Sequence, residues 1–295
     1  MSSVQANGIN IEYDVFGDSS ARPLLLVMGL GTQMTGWDEE FCQKLVDTGH
    51  YVIRFDNRDI GLSSKMDDAP VPNPAELMMD MMQGNTPEVP YSLNDMADDA
   101  IGLLDALDID SAHICGASMG GMIVQTMAMA HGPRIRFMTS IMSTTGNPEL
   151  PAATPEAMEA LTKPPAADRD AQIEQSVATQ KVIGSPGFAF DEERSRQKAS
   201  AAYDRSFYPQ GTALQMAAVV AGGNRRPGLE SLDLPTLVIH GKADPLVPVT
   251  GGQDTHEAIT GSELLLIEGM GHDLPVGTWD EIVPSISAFT AKHDG

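Results

Sequence analysis

Residues 112–121 read Ala112-His113-Ile114-Cys115-Gly116-Ala117-Ser118-Met119-Gly120-Gly121, and helical spacing continues to Ala130. The run Ala112 to Cys115 predicts a buried strand, and the glycines after it predict a turn directly into a helix from Met119 to Ala130. A Gly-x-Ser-x-Gly sequence alone is common by chance. On a sharp strand-to-helix turn it has a physical purpose. Such a turn forces Ser118 into a strained backbone conformation and lifts its hydroxyl clear of the sheet. Gly116 and Gly120 are needed because side chains there would collide with the neighbouring strand and helix. The Met119 N–H then points, with the helix dipole behind it, at an oxygen developing negative charge.

Outward from this turn, short apolar runs alternate with helical patterns. Ile9 to Phe16 alternates apolar and polar residues and reads as an edge strand pair. Pro23 to Met28 and Tyr51 to Phe55 read as buried strands, with a helix between them from Asp38 to Thr48 that stops at Gly49. Ser92, with Asp95 three residues on, caps a helix through Leu107. Ile135 to Met142, Thr236 to His240 and Glu263 to Ile267 are further strands, with helices near Thr255 and after Trp279. Repeated strand–helix units of this kind specify an α/β fold, a mostly parallel doubly wound sheet with helices on both faces. Between about Thr144 and Leu232 the strand signals vanish and Ala, Glu, Gln, Arg and Met dominate, punctuated by prolines. Residues 1–143 and 233–295 are thus expected to form the core, and residues 144–232 an inserted helical cap.

A serine nucleophile needs a base, and the base needs a carboxylate to fix its tautomer. Strand Thr236 to His240 runs into Gly241-Lys242-Ala243-Asp244, and strand Glu263 to Ile267 runs into Glu268-Gly269-Met270-Gly271-His272-Asp273. The C-terminal ends of parallel strands open on one edge of the sheet, so Ser118, Asp244 and His272 are expected to converge there. Asp273, facing another direction, is a weak rival for the acid. His50, His113, His131, His240, His256 and His293 fall at element ends or on expected surfaces, and none is assigned to catalysis. The second oxyanion donor is expected from Leu30, between Gly29 and Gly31, which let the backbone approach a ligand closely. A dinucleotide reading of Gly29-x-Gly31 fails, because the third glycine position is Met34. No metal signature is present, and no cofactor is expected.

The 295 residues carry 18 Lys+Arg against 41 Asp+Glu, a formal net charge of −23. With 42% hydrophobic and 20% charged residues, the chain has ample material for a core and is not intrinsically disordered. Its charge argues against nucleic acid or an anionic membrane as the main partner, since both are polyanions. Cys42 and Cys115 cannot form a disulfide scaffold at this length, and reduced buried thiols are expected. No basic stretch precedes an apolar one at the N-terminus, and no run is long enough for a membrane span or stable anchor. The expectation is a cytoplasmic monomer or homodimer acting on a small molecule.

At this point the sequence resembles the α/β-hydrolase superfamily over essentially its whole length, in the Ser…Asp…His order as well as in the turn. Asp56-Asn57-Arg58-Asp59-Ile60-Gly61-Leu62-Ser63 resembles the family's Asp-x-Arg-Gly-x-Gly-x-Ser loop, with Asp59 replacing the usual glycine. Met28-Gly29 stands where many relatives have His-Gly. Leu-Leu-Val-Met-Gly, Gly36-Trp37 and Arg58-Asp59-x-Gly61 are similar to the bacterial subgroup that includes aclacinomycin methylesterases, most closely over the first 130 residues. The resemblance implies acyl transfer through Ser118, His272 and Asp244, with Met119 and Leu30 amides as the oxyanion hole. Serine at this position argues against haloalkane dehalogenases and epoxide hydrolases, which place Asp there.

The segment Leu77-Met78-Met79-Asp80-Met81-Met82, in a chain with 18 methionines, reads as flexible filler or as an adaptable apolar wall near the substrate. Met78, Met79, Met82, Phe207 and Met216 are the candidate pocket residues, and Phe188 and Phe190 add to an apolar cap. They point to small or medium neutral apolar esters. Other readings compatible with these residues are a proline iminopeptidase-like aminopeptidase, a cofactor-free perhydrolase or haloperoxidase, and a non-enzymatic ligand receptor.

Overall fold

The computed structural model describes residues 1–73, 76–77, 79–80, 83–85 and 87–293. The strands are β1 (Ser2–Ala6), β2 (Ile9–Phe16), β3 (Arg22–Val27), β4 (His50–Phe55), β5 (Ala112–Ala117), β6 (Ile135–Ile141), β7 (Thr236–Gly241) and β8 (Glu263–Ile267). They form one sheet in the order β1-β2-β4-β3-β5-β6-β7-β8. Every pairing from β4 to β8 is parallel, while β1 and β2 join antiparallel at one edge. Ile9–Phe16, expected as an edge strand pair, is instead the single strand β2, and its partner at the edge is β1. Asn7 and Gly8, at φ 48° and 78°, make the tight turn between them. The polar, largely exposed Ser2–Ala6 gave no apolar alternation by which β1 could be read.

The continuous apolar run of β3 shows why such a strand is buried. Leu25 and Val27 face one layer and Leu24 and Leu26 the other, because successive side chains leave a strand on opposite faces. Helix α1 (Glu39–Asp47) brings Phe41, Cys42 and Leu45 to the Leu24/Leu26 face. Helices α2 (Leu93–Ala106) and α3 (Met119–Ala130) cover the opposite face with Met96, Ala100, Leu104, Ile123 and Met127. Each such Phe, Leu, Ile or Met side chain, removed fully from water, stabilises the fold by about 1.5–3 kcal/mol. The Ser92–Asp95 pair forms a capping box at the start of α2, as its spacing predicts.

Between β6 and β7 the described residues are helical or irregular: α4 (Pro155–Thr162), α5 (Arg169–Ile183), α6 (Glu192–Arg205), α7 (Pro209–Ala221) and the short α8 (Arg226–Leu229). The chain re-enters the sheet at β7. Then α9 (Thr250–Ala258) and α10 (Trp279–Lys292) follow, with Trp279, Ile282, Ile286 and Phe289 of α10 packed beside α1. Among the described residues no helix is long and apolar enough to cross a membrane.

His50, His113 and His240 lie at or near strand ends. All three are fully buried. His50 shows the reason: its ring bridges the Leu45 carbonyl and the Thr290 hydroxyl, joining α1 to α10. Both cysteines are buried and free, and burial pushes the Cys42 thiol up to about 12.

Candidate active site

Ser118 is the hinge between β5 and α3, with φ 57° and ψ −120°. For a residue with a Cβ this conformation costs on the order of 1–3 kcal/mol, and packing on every side must hold it. A side chain at Gly116 would overlap the Gly120 carbonyl, and one at Gly120 would overlap the Val27 carbonyl. The Ser118 N–H donates to the Ile141 carbonyl of β6, and the Ser143 hydroxyl donates to the Ser118 carbonyl at 2.8 Å. The backbone is thereby pinned by β6 and the segment just after it, leaving Oγ to project from the turn.

The loops after β7 and β8 bring the other two expected side chains to it. His272 Nε2 lies 2.9 Å from Ser118 Oγ, and His272 Nδ1 lies 2.7 Å from Asp244 Oδ2. The other oxygen of Asp244 accepts from the Leu246 and Val247 N–H groups, both at 2.9 Å. Burial alone would raise the Asp244 carboxyl. The bonds and charge from His240, His272 and the loop amides outweigh it and hold the group at about 2. An ionised Asp244 favours the tautomer with a proton on Nδ1, which leaves Nε2 free to accept the Ser118 proton.

His240 joins this cluster from within the sheet. Its Nε2 is 3.6 Å from Asp244 Oδ2 and 2.8 Å from the Val247 carbonyl, so it braces the loop behind the acid. The signal for it was its place at the end of β7, four residues before Asp244. Asp273 turns away from the imidazole and accepts from the Ser185 hydroxyl instead.

On the opposite side of Ser118, a side chain at Gly29 would have its Cβ 3.1 Å from Ser118 Cβ, so the loop after β3 lies against the nucleophile's position. Residues 29–32 form a turn closed by the Thr32 N–H on the Gly29 carbonyl. The Leu30 N–H finds no acceptor among the described residues, and Met119, first in α3, is by position one of the unpaired amides of a helix start. Gln215 of α7 steadies this loop. Fully buried, it accepts from the Gly31 N–H and donates to the Arg58 carbonyl, each at 2.9 Å. Sequence reasoning missed Gln215, because nothing in α7 marks a residue whose partners lie more than 150 positions away.

Beneath this loop, Arg58 holds Asp99 through two bonds of 2.6 and 2.7 Å, and Asp59 adopts φ 69° in place of the family's glycine. That left-handed backbone is fixed by the Asp59 side chain, which accepts from the Met66 N–H at 2.7 Å.

The expected pocket residues are more scattered. Met78 and Met82 lie outside the described residues. Met79 is 59% exposed, and Phe207 is 42% exposed with its ring stacked on Tyr203. Met216 is half-buried on α7. Phe188 packs against the core near Gly277, whereas Phe190 is 40% exposed beneath Lys181.

Comparison with known proteins places this arrangement in context. The chain is 26% identical over 293 residues to the rhodomycin D methylesterase of Streptomyces peucetius, covering 93% of this chain and 92% of that one. It is 29% identical over 269 residues to 3-oxoadipate enol-lactonase 2 of Acinetobacter baylyi, covering 90% and 88%. Among solved structures, the meta-cleavage product hydrolase of Pseudomonas fluorescens superimposes with a TM-score of 0.77 at 20% identity, over 99% of this chain and 98% of that one. Residues 22–276 match the family described by the alpha/beta hydrolase fold, and the chain belongs to that family.

Proposed function

We propose that the protein is a carboxylic-ester hydrolase that works through Ser118, His272 and Asp244 and an acyl-enzyme intermediate. The observation that carries this reading is the unbroken series Ser118 Oγ–His272–Asp244, at 2.9 and 2.7 Å, ending in a carboxylate held ionised. In the proposed mechanism His272 Nε2 takes the hydroxyl proton as Ser118 Oγ attacks the ester carbonyl. The Leu30 and Met119 amides bind the resulting oxyanion. His272 then returns the proton to the leaving alcohol, and the carbonyl re-forms as an acyl-Ser118. Water, deprotonated by the same imidazole, adds to it and releases the acid.

The methylesterase and the enol-lactonase both carry ester chemistry in their names, which supports this choice among the activities open to a serine nucleophile. The substrate proposed is a small or medium neutral apolar ester, with residues 144–232 acting as the cap that selects it. The acidic balance of the chain supports neutrality, since a net charge of −23 repels anions. Wild-type protein is expected to turn over short p-nitrophenyl esters, and Ser118→Ala to abolish that turnover. Full activity in Ser118→Ala, or aminoacyl-anilide hydrolysis outpacing ester hydrolysis, would sink the reading.

A further inference from the structure

The loop that carries His272 is bonded along its length to the turn that follows α5. The His272 N–H donates to the Ile183 carbonyl at 2.7 Å, and the Gly187 N–H donates to the Gly269 carbonyl at 2.9 Å. Here the two segments meet backbone to backbone. A Cβ on Gly187 would stand 2.6 Å from Gly269 Cα, and one on Gly269 would stand 2.7 Å from Gly187 Cα. Between these contacts sits the Ser185 hydroxyl. It accepts from the Gly271 N–H at 2.8 Å and donates to Asp273 Oδ1. It therefore grips the residue before His272 and the residue after it with one oxygen atom.

We propose that Ser185 is a positioning residue for His272, so that the turn after α5 aligns the base between Ser118 and Asp244. The inference rests on the triad reading above. Ser185 touches no reacting atom and acts only through the flanking residues. The imidazole must meet two partners at once, and rotation of its loop would lengthen both bonds together. A displacement near 1 Å costs an enzyme up to about 100-fold in rate.

The test compares Ser185→Ala with wild type and with Ser176→Ala. Ser176 lies on α5 and donates to the Gln172 carbonyl, away from the His272 loop. In Ser185→Ala, kcat for a p-nitrophenyl ester is expected to fall roughly 10- to 100-fold with KM within about twofold, and the acid limb of its pH profile to move. The rate at which a fluorophosphonate labels Ser118 should fall in parallel, while Ser185→Thr restores the hydroxyl and much of the rate. Ser176→Ala should match wild type. An unchanged kcat, pH profile and labelling rate in folded Ser185→Ala would overturn the proposal. Should Ser185→Ala fail to fold, Asp273→Asn, which keeps an acceptor oxygen, is expected to stay active while Asp273→Ala loses activity; equal activity in the two would overturn it. Normal labelling of wild-type Ser118 beside an unaffected Ser185→Ala defeats this inference alone. Absence of labelling at Ser118 defeats the triad reading and this inference with it.

Discussion

Helices α3 and α6 are of similar length and opposite circumstance. Of the twelve residues of α3, the ten from Met119 to Ala128 are buried, whereas none of the fourteen in α6 is buried. The first is fixed by packing, which tolerates little displacement because interiors are as dense as organic crystals. The second is held largely by charge: Arg194 and Lys198 pair with Asp38, Arg196 pairs with Glu174, and Arg205 pairs with Asp56. Ser118 is carried on the rigid element, at the start of α3. The segment between β6 and β7 reaches the loops beside Ser118 through a few polar contacts, chiefly Gln215 at Gly31 and Ser185 at the His272 loop.

The largest expected effect probes the rigid side. Asp244→Asn should lower kcat on the order of 10³- to 10⁴-fold with the fold intact, because the amide no longer fixes the imidazole tautomer. A decrease under tenfold would mean that Asp273 can replace the acid. The same variant has a pH signature. A carboxyl depressed from 3.8 to about 2 contributes stability that is present above pH 3.8 and lost as pH falls through about 2. In thermal melts, any stability advantage of wild type over the variant should therefore narrow by roughly 2 kcal/mol across that window. A constant gap would contradict the assigned charge state.

Next comes packing itself. Ile123→Ala, in the fully buried face of α3, should cost about 2–5 kcal/mol in denaturant unfolding. Gln215→Ala should cost about 1–3 kcal/mol by leaving the Gly31 N–H and the Arg58 carbonyl without partners, and should lower kcat about tenfold as the oxyanion loop loosens. If kcat holds while stability falls, Gln215 is structural and the loop is set by the core alone. The smallest effect belongs to α6. Arg196→Ala breaks exposed pairs with Glu174 and Glu192, and the melting temperature should stay within about 2 °C. A larger fall would show that α6 is bound more firmly than its exposure suggests.

The same contrast explains what the sequence made legible. Wherever packing sets the structure it leaves a period: β3, β5 and β8 appear as apolar runs, α2 and α3 as helical spacing, and the turn at Ser118 as glycines where no side chain fits. Asp244 and His272 were readable because each follows such a strand, and parallel strands end on a common edge. Gln215 and Ser185 leave no period, since each serves backbone amides far along the chain. His240 stands next to the end of β7, and nothing in the strand's apolar pattern marks its contact with Asp244. Phe190 and Phe207 illustrate the converse. Their apolar character implied enclosure, but in the charge-held segment apolar side chains are not compelled inward, and both are substantially exposed.

An element with no buried side chain has no shape to match. Helix α6 can exchange its exposed residues without any neighbour having to change in concert, provided that its pairs with Asp38 and Asp56 and its backbone contact with Gln33 are kept. Variation is therefore cheap in α6 and expensive in α3. A lineage with this architecture can vary the surface of α6 while Ser118 and the helix behind it stay unchanged.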